Sequence, residues 1–321
     1  MKTLITLLLL FIATSNIVTA QNDHPDSFTK IQQSEKEKNN FSSTVDAKIL
    51  EFYCKHSFYT DPGEYATMYE NLPDSLADIC KLIKAQLIHP MADLPQYRDL
   101  IPPERSYEDL KYPTVKTILA GLKSYNPDGL IFDRKPEDRL VVTCRYDAIL
   151  LASILKHRGI PARVRYGFAS YLYPGYNIYH VVCEVWDKKE NNWILVDPDR
   201  QIIGLTSQQF EFACDAWEKL RSGKLNSETY GVPDWWGSHP ILDVLCHDLA
   251  SVLGNEHIYY DRPPISSDTT MNVKNMPTDQ LTLIDDIIVL MKNVDGNFYE
   301  LQLFYDKNKL LKFNDRYRKD E

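Results

Sequence analysis

Thr143-Cys144-Arg145-Tyr146-Asp147-Ala148-Ile149-Leu150-Leu151-Ala152-Ser153-Ile154-Leu155, closed by Gly159-Ile160-Pro161-Ala162-Arg163, is the stretch whose reading decides the fold. Its apolar run is one that a helix can bury, with Thr143 as N-cap and Asp147 adding negative charge to the opening turn. Gly159 suits the left-handed position just past a helix, and Pro161 prevents continuation. The helix therefore opens on a lone cysteine. A helix N-terminus favours thiolate over thiol, so the pKa of Cys144 can fall below the free value of roughly 8.5 and make it a nucleophile. The alternative is a small buried hydrophobe, the common fate of a free cysteine.

After Gly159 the pattern changes to a period of two. Val164, Tyr166 and Phe168 alternate with Arg163, Arg165 and Gly167, which predicts a strand. Residues 171–177 are an aromatic, turn-rich loop. Ile178 to Trp186 reads as a second strand, Lys188 to Asn192 as a polar turn, and Trp193 to Asp197 as a third strand. His180 shares a face with Val182, Glu184 and Trp186, and Asp197 shares one with Trp193 and Leu195. If Trp186 faces Trp193, His180 and Asp197 lie on the same face one pair apart; a register slid by two puts them directly opposite. Either way an imidazole and a carboxylate come within reach. Taken singly, His180 is a satisfied half-buried histidine and Asp197 a strand-end residue before Pro198. Taken in order after Cys144, they supply what a nucleophilic thiol needs: a base, and a partner that holds the base's tautomer.

That order resembles the transglutaminase-like superfamily of cysteine enzymes, which shares the papain-type core. The resemblance is carried by Cys144-Arg145-Tyr146-Asp147, Gly159-Ile160-Pro161-Ala162-Arg163-Val164, His180-Val181-Val182-Cys183-Glu184-Val185-Trp186 and Trp193-Ile194-Leu195-Val196-Asp197-Pro198. Within the superfamily the chain is most similar to bacterial transglutaminase-domain proteins of mostly unassigned activity, which carry the Arg-Val-Arg-Tyr-Gly-Phe-Ala type of strand found at 163–169. The match is close over about 139–200, with looser echoes at 76–90 and 231–253. The resemblance implies an α+β fold, a cysteine-bearing helix on an antiparallel sheet. It also implies nucleophile Cys144, base His180 and orienting carboxylate Asp197, acting on an amide or ester carbonyl through a thioester. The Cys144 amide would be one oxyanion donor. Familiar transglutaminases use a tryptophan before the cysteine as the second, yet all five tryptophans here follow it. Papain-like enzymes use an upstream glutamine, for which Gln86 is the nearest candidate. The departure weighs against protein crosslinking in particular.

The remaining candidates have two readings each. Trp235 and Trp236 could line an acyl pocket or simply pack. Arg163 and Arg165 could bind a substrate carboxylate or pair with surface acids. Cys183, three residues after His180, points to the opposite face and reads as core. His247 and Asp248 are helix neighbours facing different directions and receive no role.

Composition sets the wider limits. A chain of 321 residues, 44% of them hydrophobic, can bury a sizeable core. A formal charge of −9 argues against a nucleic-acid groove. Residues 1–20 have the grammar of a secretory signal peptide: Lys2, an apolar run from Leu4 to Ala13, and a small-residue end before Gln21. The expectation is a secreted or periplasmic protein, cleaved near Ala20, without stable membrane insertion afterwards. A polar leader at 21–43 precedes a single domain over 44–321. Oxidising surroundings would allow disulfides, with Cys54–Cys80 and Cys214–Cys246 as guesses by segment. No Cys-x-x-Cys, His-Glu-x-x-His, Gly-rich phosphate loop or calcium loop occurs, so neither metal nor cofactor is expected. The expected substrate is a peptide, a protein or a small amide. A cysteine peptidase or amidase without transfer, and a binding module on the same fold, are the alternatives. Helices are further predicted at 47–53, 76–87, 112–122, 206–220, 241–253, 279–291 and 298–313.

Overall fold

The computed structural model describes residues 45–314 and 316–318; the expected signal peptide and leader lie outside them. The elements follow in the order α1 (Ala47–Cys54), α2 (Leu76–Gln86), β1 (Leu87–Ile88), α3 (Val115–Tyr125), β2 (Leu140–Val141), α4 (Cys144–His157), β3 (Ala162–Ala169), β4 (Asn177–Asp187), β5 (Asn192–Asp197), β6 (Ile202–Ile203), β7 (Phe210–Phe212), α5 (Ala213–Arg221), β8 (Tyr230–Val232), β9 (Trp235–Trp236), α6 (Ser238–Val252), α7 (Thr278–Met291) and α8 (Phe298–Lys307). Short helical turns fill several of the connections. This is the α+β architecture expected from the order of patterns. Among the described residues, no helix is long and apolar enough to cross a membrane.

The central helix is α4. Every residue from Cys144 to Lys156 is buried, because apolar side chains occur all round the helix rather than in one stripe. It packs with α6 against the long β3–β4 hairpin, whose inward Val164, Tyr166, Val181 and Cys183 join Ile149, Leu150 and Ile154 in the main core. Truncating such a side chain, as in Leu151→Ala, costs about 2–5 kcal/mol. The main sheet runs β6-β5-β4-β3-β7 with antiparallel neighbours, and β8 adds in parallel beside the start of β4. Trp186 pairs with Trp193, the first of the two expected registers. A separate two-residue parallel pairing joins β1 to β2, Leu87 to Leu140 and Ile88 to Val141. Short as it is, it sets the chain after α2 beside the approach to Cys144.

Several boundaries differ from expectation for identifiable reasons. The helix predicted at 112–122 starts at Val115, because Thr114 forms a reciprocal capping box with Thr117 just after Pro113. The segment 206–220 is not one helix: Phe210–Phe212 is a strand against β3, and only then does α5 begin. Gly167 permits that pairing, since a Cβ there would collide with the Glu211 carbonyl oxygen. The helix predicted to reach Phe313 ends at Lys307. All six cysteines are free, so the pairs Cys54–Cys80 and Cys214–Cys246 are not formed. Cys80, Cys214 and Cys246 instead fill the main core as small apolar groups, and the Cys54 thiol donates to the Gly159 carbonyl at 3.4 Å.

Candidate active site

Cys144 is the first residue of α4 and only 3% exposed. Thr143, expected as its cap, turns away: its hydroxyl donates to Asp109 Oδ2 at 2.7 Å and its amide to Asp109 Oδ1 at 3.0 Å. Burial pushes the Asp109 carboxyl up to about 6, although these Thr143 bonds favour its charged form. Because the threonine oxygen is spent on Asp109, the amides of the first turn keep no side-chain cap. By helix geometry the Cys144 amide has no intrahelical acceptor. An uncapped, positively polarised helix end therefore sits under the thiol.

The β4–β5 register carries His180 and Asp197 to one another: His180 Nε2 lies 2.8 Å from Asp197 Oδ2. With Nε2 engaged, Nδ1 is the ring atom left for the thiol, and burial leaves both side chains almost no water to compete. Asp197 is held from two further sides, by the Tyr171 hydroxyl at 2.5 Å and the Arg200 amide at 3.0 Å. Burial pushes the Cys144 thiol up, but the charge and hydrogen bond of His180, followed by a hydrogen bond of His89, bring it down to about 6. Burial disfavours imidazolium, yet the charges of Asp197 and Cys144 hold His180 well above its ordinary range. Asp197 is lowered despite its burial, chiefly by His180. The three shifts are mutually consistent: thiolate, imidazolium and carboxylate in a row.

Sequence reasoning missed three neighbours of this row. Tyr259, on the loop after α6, places its hydroxyl 3.0 Å from Cys144 Sγ. Arg145 holds that loop to α4, its Nε donating to the Glu256 carbonyl at 3.0 Å and a further nitrogen to the Pro113 carbonyl at 3.0 Å. His89, immediately after β1, is carried beside the approach to Cys144 by the Ile88–Val141 pairing, and its hydrogen bond helps to lower the thiol. Tyr171 is the third, and its hydroxyl position in an aromatic loop gave no periodic signal. Beneath them Lys84 bridges Asp93, at 2.5 Å, and Asp199, tying α2 to the segment after β5.

Of the residues expected at the site, Cys144, His180 and Asp197 are brought together, while Gln86, Arg163 and Arg165 are engaged elsewhere. Gln86 is fully buried and its amide is spent elsewhere. Nε2 donates to the Leu82 and Ile131 carbonyls, both at 2.7 Å, while Oε1 accepts from Arg134 Nε at 2.7 Å. It is a strut between α2 and the 130–134 loop, with no N–H left for an oxyanion. Arg163 and Arg165 are themselves buried and pair with the buried Glu184 and Asp248 and with the half-buried Asp295. Arg163 meets Glu184 and Asp295, each at 2.5 Å, and Arg165 meets Glu184 and Asp248, each at 2.8 Å. Arg163 faces Glu184 across the hairpin, four residues along β4 from His180 and so about 13 Å away. Trp235 and Trp236 form β9 against β8. Trp236 packs on Tyr176 with ring centres 4.8 Å apart, and Trp235 lies beside His239 and under Arg262. Cys183 is core.

His180, Asp197 and Asp199 offer one ligand atom each within 4.8 Å of one another, spacing that would suit a cation. Their bonding argues otherwise. His180 and Asp197 are engaged with each other, and Lys84 and Arg200 already bring positive charge to Asp199.

Residues 119–198 match the model of the transglutaminase-like superfamily, which takes in α4, the β3–β4 hairpin and β5 together with all three members of the row. No curated protein matches this sequence. Among solved structures, one from Cytophaga hutchinsonii, described as a "Putative Cysteine Protease", is 18% identical and aligns over 53% of this chain and 48% of its own, with a TM-score of 0.29. The chain thus spans about half the length of that structure. The family match supports a thiol-enzyme family.

Proposed function

We propose, from a transglutaminase-like core at 119–198, that this protein is a thiol enzyme that forms a thioester with an acyl group taken from an amide or ester. Cys144 is the nucleophile, His180 the base and later the acid, and Asp197 the group that orients it. The observation carrying this reading is the row itself: Cys144 opens α4, and His180, whose imidazole lowers its thiol, is bonded through Nε2 to Asp197 at 2.8 Å. In the first step the sulfur lone pair forms the S–C bond while the carbonyl π pair moves to oxygen. Collapse of that intermediate expels the amine or alcohol, which takes its proton from His180 Nδ1. Water then resolves the thioester to an acid, or an amine resolves it to a new amide.

The absence of any tryptophan before Cys144 favours water over a protein amine as the second reactant, the cysteine peptidase or amidase reading. We place the protein outside the cytoplasm, as a secreted or periplasmic enzyme, on the pattern of residues 1–20; the N-terminal residue of protein recovered from its native host tests this, with Gln21 expected. Peptides, proteins and small amides are all admitted as substrates. The test of the mechanism is mass spectrometry of the protein exposed to p-nitrophenyl acetate, with and without an amine. A single acetyl group on Cys144, absent from Cys144→Ala, is expected, and release by water without amine assigns hydrolysis. Equal acetylation and turnover in the alanine variant would remove the mechanism and leave a binding module.

A further inference from the structure

The Cys144 amide supplies one hydrogen bond to a developing oxyanion, and one is few for acyl transfer. Gln86, the upstream side chain expected to give the second, is locked to backbone carbonyls. We infer that His89 is the second oxyanion donor, through its Nε2–H, and so a catalytic residue of the thioester chemistry proposed above, on which this assignment rests.

The placement and the donor both follow from contacts. Ile88 pairs with Val141, and the Ile88 carbonyl accepts the Val142 amide at 3.0 Å, so His89 is carried on the strand that runs beside the approach to Cys144. Its backbone is then turned sharply. The His89 carbonyl accepts the amides of Asp93 and Leu94 at 2.9 and 3.1 Å, and its amide donates to Asp93 Oδ2 at 2.9 Å. Asp93 is anchored in turn by Lys84. Within this turn His89 Nδ1 accepts from the amides of Met91 and Ala92, both at 3.3 Å. A neutral imidazole has one acceptor and one donor. With Nδ1 accepting, the proton sits on Nε2, and that is the end of the ring left for the Cys144 thiol, which a hydrogen bond of His89 helps to lower. His89 is only half-buried. The Tyr259 hydroxyl is already engaged with the sulfur itself, 3.0 Å away, and His180 has its own task. The Cys144 amide and His89 Nε2–H thus flank the sulfur from two different elements.

When the thiolate attacks, the carbonyl oxygen gains the π pair, and these two N–H groups receive it. His89 neither gains nor loses a proton, which separates its role from that of His180. Such a donor adds about 10²–10³ to the acylation rate, and it leaves untouched a reaction of the same thiolate that makes no oxyanion.

The experiment compares His89→Met and His89→Gln, near equal in bulk, one without and one with an N–H donor. Two rates are read on Cys144: acetylation by p-nitrophenyl acetate and alkylation by iodoacetamide at pH 8. The expected result is acetylation reduced about 10²–10³-fold in the methionine variant and kept within about tenfold in the glutamine variant, with alkylation in both close to the parent rate. Thermal unfolding checks that both variants fold; His89→Ala replaces the methionine variant if that one does not. Unchanged acetylation in His89→Met, equal loss in both variants, or alkylation falling in step with acetylation would each overturn the assignment. Failure of the underlying reading looks different, because the unsubstituted protein and Cys144→Ala would then acetylate alike.

Discussion

The β3–β4 hairpin carries two buried clusters of charge about 13 Å apart, and they are built on opposite principles. At one end His180 and Asp197 face Cys144; at the other Arg163 and Arg165 face Glu184, Asp248 and Asp295. Both are largely buried and both contain displaced pKa values. In the arginine cluster the displacement reinforces what each group already is at neutral pH. Burial raises the Glu184 carboxyl, but the two guanidinia hold it at about 2, and the arginines are pushed further up, against their own burial, by the acids. No proton there is available near pH 7. In the thiol cluster the displacement brings Cys144 from above neutrality to about 6, where its charge state becomes useful. A perturbed group marks chemistry when the shift carries it toward working pH and leaves a lone pair uncommitted.

Substitutions can break this contrast. The largest effect belongs to Cys144→Ala, which should lower acylation by about 10⁴–10⁶, read by acyl-enzyme mass and by turnover, while leaving the thermal midpoint nearly unchanged. A midpoint that collapses would make Cys144 structural. Arg165→Met should do the converse. It strands Asp248, a carboxylate with 0% exposure, and breaking a buried pair in this way costs about 3–5 kcal/mol. The expected readout is a midpoint lower by about 10 °C, with acylation per folded molecule preserved. Loss of activity without loss of stability would return the arginines to the site.

The third comparison is a matter of pH. His180→Ala removes the charge that lowers the thiol, so the alkylation inflection should move from about 6 upward to at least the free-thiol value of roughly 8.5. The sign follows from the cause: His180 is the largest of the groups that lower the thiol, and without it burial, which raises a thiol, prevails. At pH 7 the thiolate fraction then falls about 30-fold, and the iodoacetamide rate with it. An inflection that stays near 6 would assign the activation to the helix end and His89 instead.

What the chain discloses about itself divides along similar lines. The row Cys144, His180 and Asp197 was readable because a helix start and a hairpin register are local, and a period of two leaves few ways to arrange three residues. The burial of Arg163 and Arg165 was not, because their alternation with Val164 and Tyr166 looks like a solvent face. The acids that cover them come from α6 and from the turn before α8, distant in sequence. Gln86 was chosen for its residue type and position, whereas its partner Arg134 lies 48 residues on in an irregular loop. His89 escaped notice because its placement depends on two residues of parallel pairing, too short to leave a pattern. Tyr259 is 115 residues from the thiol it touches. Thr143 reads as a cap from its type alone; only the fold supplies Asp109, which draws the hydroxyl away.

The smallest effect tests the outermost member of the row. Asp197 shares its charge among His180, the Tyr171 hydroxyl and the Arg200 amide. Tyr171→Phe withdraws one donor from the carboxylate, which concentrates its charge on His180 and favours imidazolium. The alkaline limb of the alkylation profile, where His180 gives up its proton, should therefore shift upward, while the limb near 6 stays or falls slightly. Acyl transfer should slow by about three- to tenfold, a part of what one hydrogen bond to a charged group is worth, because a more basic imidazole yields its proton less readily to the leaving group. Alkylation needs no such proton delivery. The two assays should accordingly part: alkylation unchanged at its plateau, acylation reduced. A downward shift of the alkaline limb would mean that Tyr171 holds His180 in place by packing, through the edge-on contact of the two rings 6.3 Å apart, and not through the charge of Asp197.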